Sequence, residues 1–145
     1  MTRQSLTILL VEDNPAVIAL TRETIADGAA GGVSVRLNAA RDGVEAVDLL
    51  KAARDGRGDL PSLIILDLNL PLKDGREVLE DIKADPELRK IPVVVFTTSN
   101  TPEDVADVYG RYANSFVTKP VDLEHYAATV KSISDYWFNT VTLPA

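Results

Sequence analysis

Five short runs, apolar or alternating, recur along the chain at 6–11, 33–39, 63–66, 93–96 and 115–118, each stopping abruptly at polar residues. Leu6-Thr7-Ile8-Leu9-Leu10-Val11, Leu63-Ile64-Ile65-Leu66 and Val93-Val94-Val95-Phe96 are short, partly β-branched and almost wholly apolar, so they read as strands buried on both faces. Val33, Val35 and Leu37 alternate with their neighbours, and Ser115-Phe116-Val117-Thr118 reads as a short closing strand. Segments with helical signals lie between. Pro15 suits the first turn of a helix capped by Asn14 or Asp13 and running to about residue 27, before Gly28-Ala29-Ala30-Gly31-Gly32. Asp42-Gly43 opens a second helix carrying Val44, Ala46, Val47, Leu50 and Lys51, which breaks at Asp55-Gly56. A third spans 76–84 with Val78, Leu79 and Ile82 at helical spacing, and Pro86 and Pro92 bracket the connection after it. A fourth starts at Pro102 and runs to about Tyr112. Asp122 caps the last, with Leu123, Tyr126, Ala127, Val130, Ile133 and Trp137 on one stripe. Strand then helix, about five times with short connections, predicts an α/β fold: a doubly wound parallel sheet with helices on both faces.

In such sheets ligands bind beyond the carboxyl ends of the strands. The residues that end the runs are therefore the candidates for chemistry: Glu12 and Asp13 after the first, Asp67 after the third, Thr97 after the fourth and Lys119 after the fifth. Taken singly, each has an ordinary explanation. Glu12-Asp13 can cap a helix, Asp67 and Thr97 can serve a turn, and a lysine before proline is common on a surface. Taken together, three acids, a hydroxyl and an amine would meet at one mouth of the sheet. Three close carboxylates repel unless a cation joins them, and oxygen donors with open positions suit Mg²⁺. An ionised aspartate can attack phosphorus, while a lysine and a threonine hydroxyl can bind the other phosphoryl oxygens.

Composition narrows the alternatives. A chain of 145 residues suits one domain, and a net charge of −7 argues against a broad nucleic-acid-binding surface. There are no cysteines and one histidine, His125, which excludes disulfides, thiolate nucleophiles and multi-histidine metal sites. No apolar stretch is long enough for a membrane span, and residues 1–6 lack the apolar core of a signal peptide, so the expected setting is the cytoplasm, without membrane or nucleic-acid partners.

The sequence resembles the receiver domains of two-component response regulators. The matching motifs are Leu10-Val11-Glu12-Asp13-Asn14, Leu66-Asp67-Leu68-Asn69-Leu70-Pro71 with Asp74-Gly75, Val95-Phe96-Thr97 and Thr118-Lys119-Pro120. The likeness spans residues 6 to about 133 and implies a flavodoxin-like five-stranded parallel sheet. It further implies that Asp67 is the phosphoacceptor, served by a sensor histidine kinase. Asp13 and Asp67 would bind Mg²⁺, Glu12 would act through water, and the backbone carbonyl of Asn69 would complete the ligands. Lys119 would pair with Asp67 and then with the phosphoryl group, Thr97 would swing toward that group, and the rotamer of Phe116 would report the state. The Lys119–Pro120 bond is expected to be cis. Such a protein would be a phosphoacceptor signalling protein and not an enzyme in the usual sense, although it would promote its own phosphoryl transfer and dephosphorylation. One departure is Thr98, where receivers usually carry a small residue. Its bulk would narrow access to Asp67. Thr97-Thr98-Ser99, the stretch Asp74 to Leu79 and the ending Ser134-Asp135-Tyr136-Trp137-Phe138 are similar to single-domain regulators that partner phytochrome-type histidine kinases.

On this reading residues 1–133 form the receiver domain and 134–145 a C-terminal extension too short for an output domain. Output would pass to a downstream partner or through onward transfer to a phosphotransfer protein. Trp137 and Phe138 either cover the domain's own core or form a homodimer contact, the use that aromatics find in interface cores. Three rival readings fit less well. A haloacid-dehalogenase-type phosphatase needs an acid where Asn69 stands. A nucleotide-binding module needs a glycine-rich loop where Glu12-Asp13 would repel phosphates. An inert receiver scaffold would not need the whole acid set and Lys119.

Overall fold

A computed structural model describes residues 4–28 and 33–144. The strands are β1 (Gln4–Val11), β2 (Val33–Ala40), β3 (Leu63–Leu66), β4 (Val93–Thr97) and β5 (Ser115–Thr118). The helices are α1 (Pro15–Gly28), α2 (Gly43–Arg54), α3 (Gly75–Ala84), α4 (Pro102–Gly110) and α5 (Leu123–Asp135). All neighbouring strands are parallel, in the order β2-β1-β3-β4-β5, the doubly wound five-stranded sheet that the alternation of runs predicts. The glycine-rich residues Ala29–Gly32 after the first helix lie outside the described residues, as do Met1–Arg3.

The sheet separates two apolar layers. Alternate side chains of β1, β3 and β4 feed each, which is why these strands read as unbroken apolar runs. Leu9, Val11, Ile64, Leu66, Val93 and Val95 face α2 and α3 through Ala46, Leu50, Val78, Leu79 and Ile82. Ile8, Leu10, Leu63, Ile65, Val94 and Phe96 face α1 and α5 through Ile18, Ile25, Tyr126, Val130 and Ile133. Tyr126 stacks on Phe96, and its hydroxyl is hydrogen-bonded to Thr21 of α1 at 2.8 Å, so this polar tip is satisfied inside the layer. The central strands are thus clamped from both sides, and their carboxyl ends form a rigid rim.

Several expectations need correction. Leu123 belongs to the predicted stripe of α5 but is 73% exposed, because the whole first turn of the helix is exposed and its packing on the sheet begins at Tyr126. Helix α4 ends at Gly110, short of Tyr112, whose φ of 69° lies in the left-handed region and cannot continue a right-handed helix. Strand β1 begins two residues before the apolar run, and Leu88–Lys90 forms a 3₁₀ turn between Pro86 and Pro92. Among the described residues there is no cis peptide bond, so Lys119–Pro120 is trans, the isomer of lower energy even before proline. Beyond Asp135 the chain continues into a π-helical turn, Tyr136–Thr140, in which the Val141 N–H donates to the Tyr136 carbonyl. Trp137 and Phe138 are half-buried against the layer that α1 and α5 share, while Tyr136 stays exposed.

Candidate functional site

The carboxyl rim collects the residues that end the strands. Asp67 follows β3 and is buried, and its N–H donates to the Val11 carbonyl, extending the β1–β3 ladder by one residue. Glu12 follows β1 in the same way, bonded through its N–H to the Ala40 carbonyl. Carboxylate oxygens of Glu12, Asp13 and Asp67 lie within 4.8 Å of one another. Lys119 reaches this group from the end of β5, and its own N–H is fixed by the Thr97 carbonyl at 2.8 Å. Its ammonium donates to Asp67 Oδ2 at 2.9 Å and also to Glu12 Oε2.

The two acids that flank Lys119 are held differently from the third. Glu12 is 3% exposed and both its oxygens are engaged, since Oε1 accepts the Asn14 N–H at 3.2 Å. Asp67 Oδ1 accepts the Asn69 N–H at 3.1 Å. Asp13 is exposed. Burial pushes the Glu12 carboxyl above its usual range despite the adjacent ammonium. Burial also works against the charge of Lys119, but hydrogen bonds to Glu12 and Asp67 outweigh it and hold the ammonium above its usual range. One amine therefore serves two buried carboxylates, and among the described residues the third acid, Asp13, has no ion-pair partner. That donor set fits a divalent cation: oxygens only, converging, and electrostatically under-compensated.

Thr97 closes the site. It is fully buried, and its Oγ1 is the one buried side-chain oxygen or nitrogen without a hydrogen-bond partner among the described residues. A buried hydroxyl costs free energy while unpaired, so an orphan here marks a partner yet to arrive. Thr98 is exposed beside it, and Phe116 on β5 is half-buried with its N–H donating to the Tyr109 hydroxyl at 3.1 Å.

The loop after Asp67 is fixed by two glycines, Gly43, read from the sequence as the start of a helix, and Gly75, read as part of a motif. A Cβ on Gly75 would sit 2.2 Å from the Asp67 carbonyl oxygen, and one on Gly43 would sit 2.0 Å from the Lys73 carbonyl oxygen. Both must lack a side chain for the loop to fold back against α2 and α3. The Gly75 N–H closes this loop on the Leu68 carbonyl at 3.0 Å, and Asp74 caps α3 by accepting the Arg76 N–H. The side chains of Glu12, Asp13, Asp67 and Lys119 thus meet at one rim, and Thr97 joins them through its carbonyl, which holds the Lys119 N–H. The double role of Lys119 toward Glu12 was not anticipated, because no spacing rule relates residues 107 positions apart.

Comparison with known proteins gives a consistent picture. The model of the response regulator receiver domain matches residues 8–131. Response regulator Rcp1 of Synechocystis sp. is 42% identical over 139 residues, covering 95% of this chain and 92% of that protein. Among solved structures, the phosphorylated cyanobacterial phytochrome response regulator RcpA is 42% identical, superposes with a TM-score of 0.90, and is covered to 99% by 97% of this chain. The Mn²⁺-bound form of Rcp1 superposes with a TM-score of 0.88 over the same shares of both chains, again at 42% identity.

Proposed function

The chain belongs to the response regulator receiver family of two-component signalling, and on that premise we propose that it takes a phosphoryl group onto Asp67 from a sensor histidine kinase. A carboxylate oxygen of Asp67 attacks phosphorus. The P–O bond forms, the P–N bond to the donor imidazole breaks, and the electron pair leaves on nitrogen. The single observation that carries this reading is the convergence of the Glu12, Asp13 and Asp67 carboxylates within 4.8 Å, with the Lys119 ammonium 2.9 Å from Asp67. Lys119 stays as a point charge for the incoming oxygens, and Thr97 gains the partner it lacks. Asp13 and Asp67 would hold Mg²⁺ directly, together with the backbone carbonyl of Asn69. Glu12, already bonded at both oxygens, acts through water. The cation supplies neutralisation of the acids and of the phosphoryl charge. The protein promotes its own phosphoryl transfer and loss.

The kinase is of the phytochrome type, as supported by likeness to RcpA, described as a phytochrome response regulator. Its downstream route is a partner protein or onward phosphotransfer, and Phe116 and Thr97 together report the state of Asp67. Phosphotransfer from a panel of labelled histidine kinases, phytochrome-type ones included, tests this. Label should pass to the wild type and not to Asp67→Asn. Label that passes from no kinase, or equally to both proteins, would contradict it.

A second reading rests on the free edge of the sheet. Ser115 and Val117 of β5, Ser132 and Ile133 of α5, and Tyr136 and Trp137 line a shallow groove there. We infer a homodimer built on this surface, with Trp137 and Phe138 contributing, whose affinity depends on phosphorylation. Sedimentation at several concentrations should show dimers that weaken in Trp137→Ala with Phe138→Ala. A monomer throughout would leave those side chains as core cover only.

A further inference from the structure

One charged side chain spans the gap between the Asp67 loop and the segment that carries Thr97. Arg76 sits directly after Gly75, the residue wedged against the Asp67 carbonyl. Its guanidinium donates to both oxygens of Asp74, at 3.3 and 3.2 Å, and to Asp104 Oδ1 in the first turn of α4 at 2.6 Å. Its Nε lies 3.4 Å from Asp107 Oδ2. The other oxygen of Asp104 accepts the Ser99 hydroxyl, two residues beyond Thr97. Asp107 in turn accepts from Arg111 at 3.0 Å, and Arg111 pairs with Glu80 back on α3. Helices α3 and α4 are thus linked by these side chains as well as by the apolar layer that Val78, Leu79, Ile82 and Val108 share.

The side chains of Arg76 and Asp104 are each only 24% exposed, unlike those of an ordinary surface ion pair. The Ser99 hydroxyl first, and Arg76 second, hold the Asp104 carboxyl below its usual range, so it remains charged and bonded across neutral pH. Thr97 ends β4 with its hydroxyl unpartnered, and a movement of the end of β4 toward Asp67 would bring that hydroxyl toward a phosphoryl group. Ser99, in the same short loop, must follow. Asp104 resists, because Arg76 anchors it to α3.

We propose that Arg76 is a positioning residue, which ties Asp104 and through it Ser99 to the Asp67 loop and thereby holds Thr97 back from the phosphoryl group. This rests on the phosphoacceptor reading of Asp67 and adds the regulation of that site. A group that favours one of two arrangements shifts the affinity of any ligand that favours the other. Cutting the tie should therefore tighten binding of a phosphoryl mimic, although it removes a favourable ion pair.

The test is titration of full-length protein with beryllofluoride in the presence of Mg²⁺, followed through the amide resonances of Thr97 and Ser99. Arg76→Ala and Ser99→Ala should each bind it about fivefold more tightly than wild type. Arg76→Lys, which keeps the charge without the fork, should fall between. The double variant should gain little beyond either single one, because both cut the same link. Arg54→Ala removes a comparable pair at the far end of the molecule and should lower stability with affinity unchanged. Unchanged or weaker binding in Arg76→Ala and Ser99→Ala would overturn the proposal, as would gains that simply add. If the wild type itself binds no beryllofluoride with Mg²⁺, the phosphoacceptor reading falls, and this inference with it.

Discussion

At the amino-terminal rim of the sheet, the charged groups and the amides beside them all find partners. Arg54 at the end of α2 pairs with its neighbour Asp55 and with Asp85 at the end of α3, and Asp85 also accepts the Glu87 and Leu88 N–H groups. Lys83 donates to the carbonyls of Arg89 and Ile91 and to Asn114, whose side-chain oxygen also accepts the Val93 N–H. The carboxyl rim, about one strand length away, uses the same residue types to opposite effect. There one lysine faces two buried acids with a third close by, and a buried hydroxyl has no partner. The first rim closes the fold. The second is incomplete in a chemically defined way, short of positive charge and of one oxygen for Thr97. Function is read from that imbalance more than from the acids themselves, since both rims have acids.

The comparison can be broken in several ways. The largest effect should come from Gly75→Ala, because the added carbon has no room against the Asp67 carbonyl. It should cost about 3 kcal/mol in chemical denaturation and disturb the acid cluster, whereas loss of less than about 1 kcal/mol would mean that the loop yields. Next, Asp13→Asn should weaken Mg²⁺ binding by about tenfold or more in calorimetry, and Glu12→Gln by less, because Glu12 is already bonded at both oxygens. Equal losses would contradict the division of labour between them.

A smaller effect concerns stability without metal. In chelator, Asp13→Asn should melt about 2 °C above wild type, since one of three mutually repelling charges is gone. Added Mg²⁺ should raise the wild type by mass action and the variant by less. A variant that melts below wild type in chelator would show a satisfied cluster. The smallest and most conventional effect belongs to the other rim. The Arg54 guanidinium holds the Asp85 carboxyl below its usual range, so this pair stabilises the fold above the ordinary carboxylate pKa and stops doing so as pH falls through the depressed one. Arg54→Ala should therefore lose stability at neutral pH and little in strong acid. A loss independent of pH would point to packing of the arginine stem instead.

Much of this was legible before any coordinates. Asp67, Thr97 and Lys119 stand at the ends of strands whose apolar runs are unmistakable, and a parallel sheet brings such ends to one rim whatever the loops do. The partners of those residues were less legible. That Lys119 bridges Asp67 and Glu12, or that Arg76 reaches Asp104, depends on loop paths and on distances across two elements, which periodicity does not encode. Leu123 misled because helical spacing runs through the first turn of α5, whereas the helix packs on the sheet only from Tyr126 onward. The role of Gly75 as a contact point could have been suspected from Asp74-Gly75 so soon after Asp67, but only geometry separates a close approach from a turn.

The central claim is that Asp67 alone accepts the phosphoryl group and needs a divalent cation to do so. Intact-mass measurement after incubation with acetyl phosphate tests it most directly, with wild type and Asp67→Asn each in Mg²⁺ and in chelator. The account predicts one added phosphoryl group on the wild type in Mg²⁺ and none in the other three samples. Comparable phosphorylation of Asp67→Asn, or of the wild type in chelator, would contradict it.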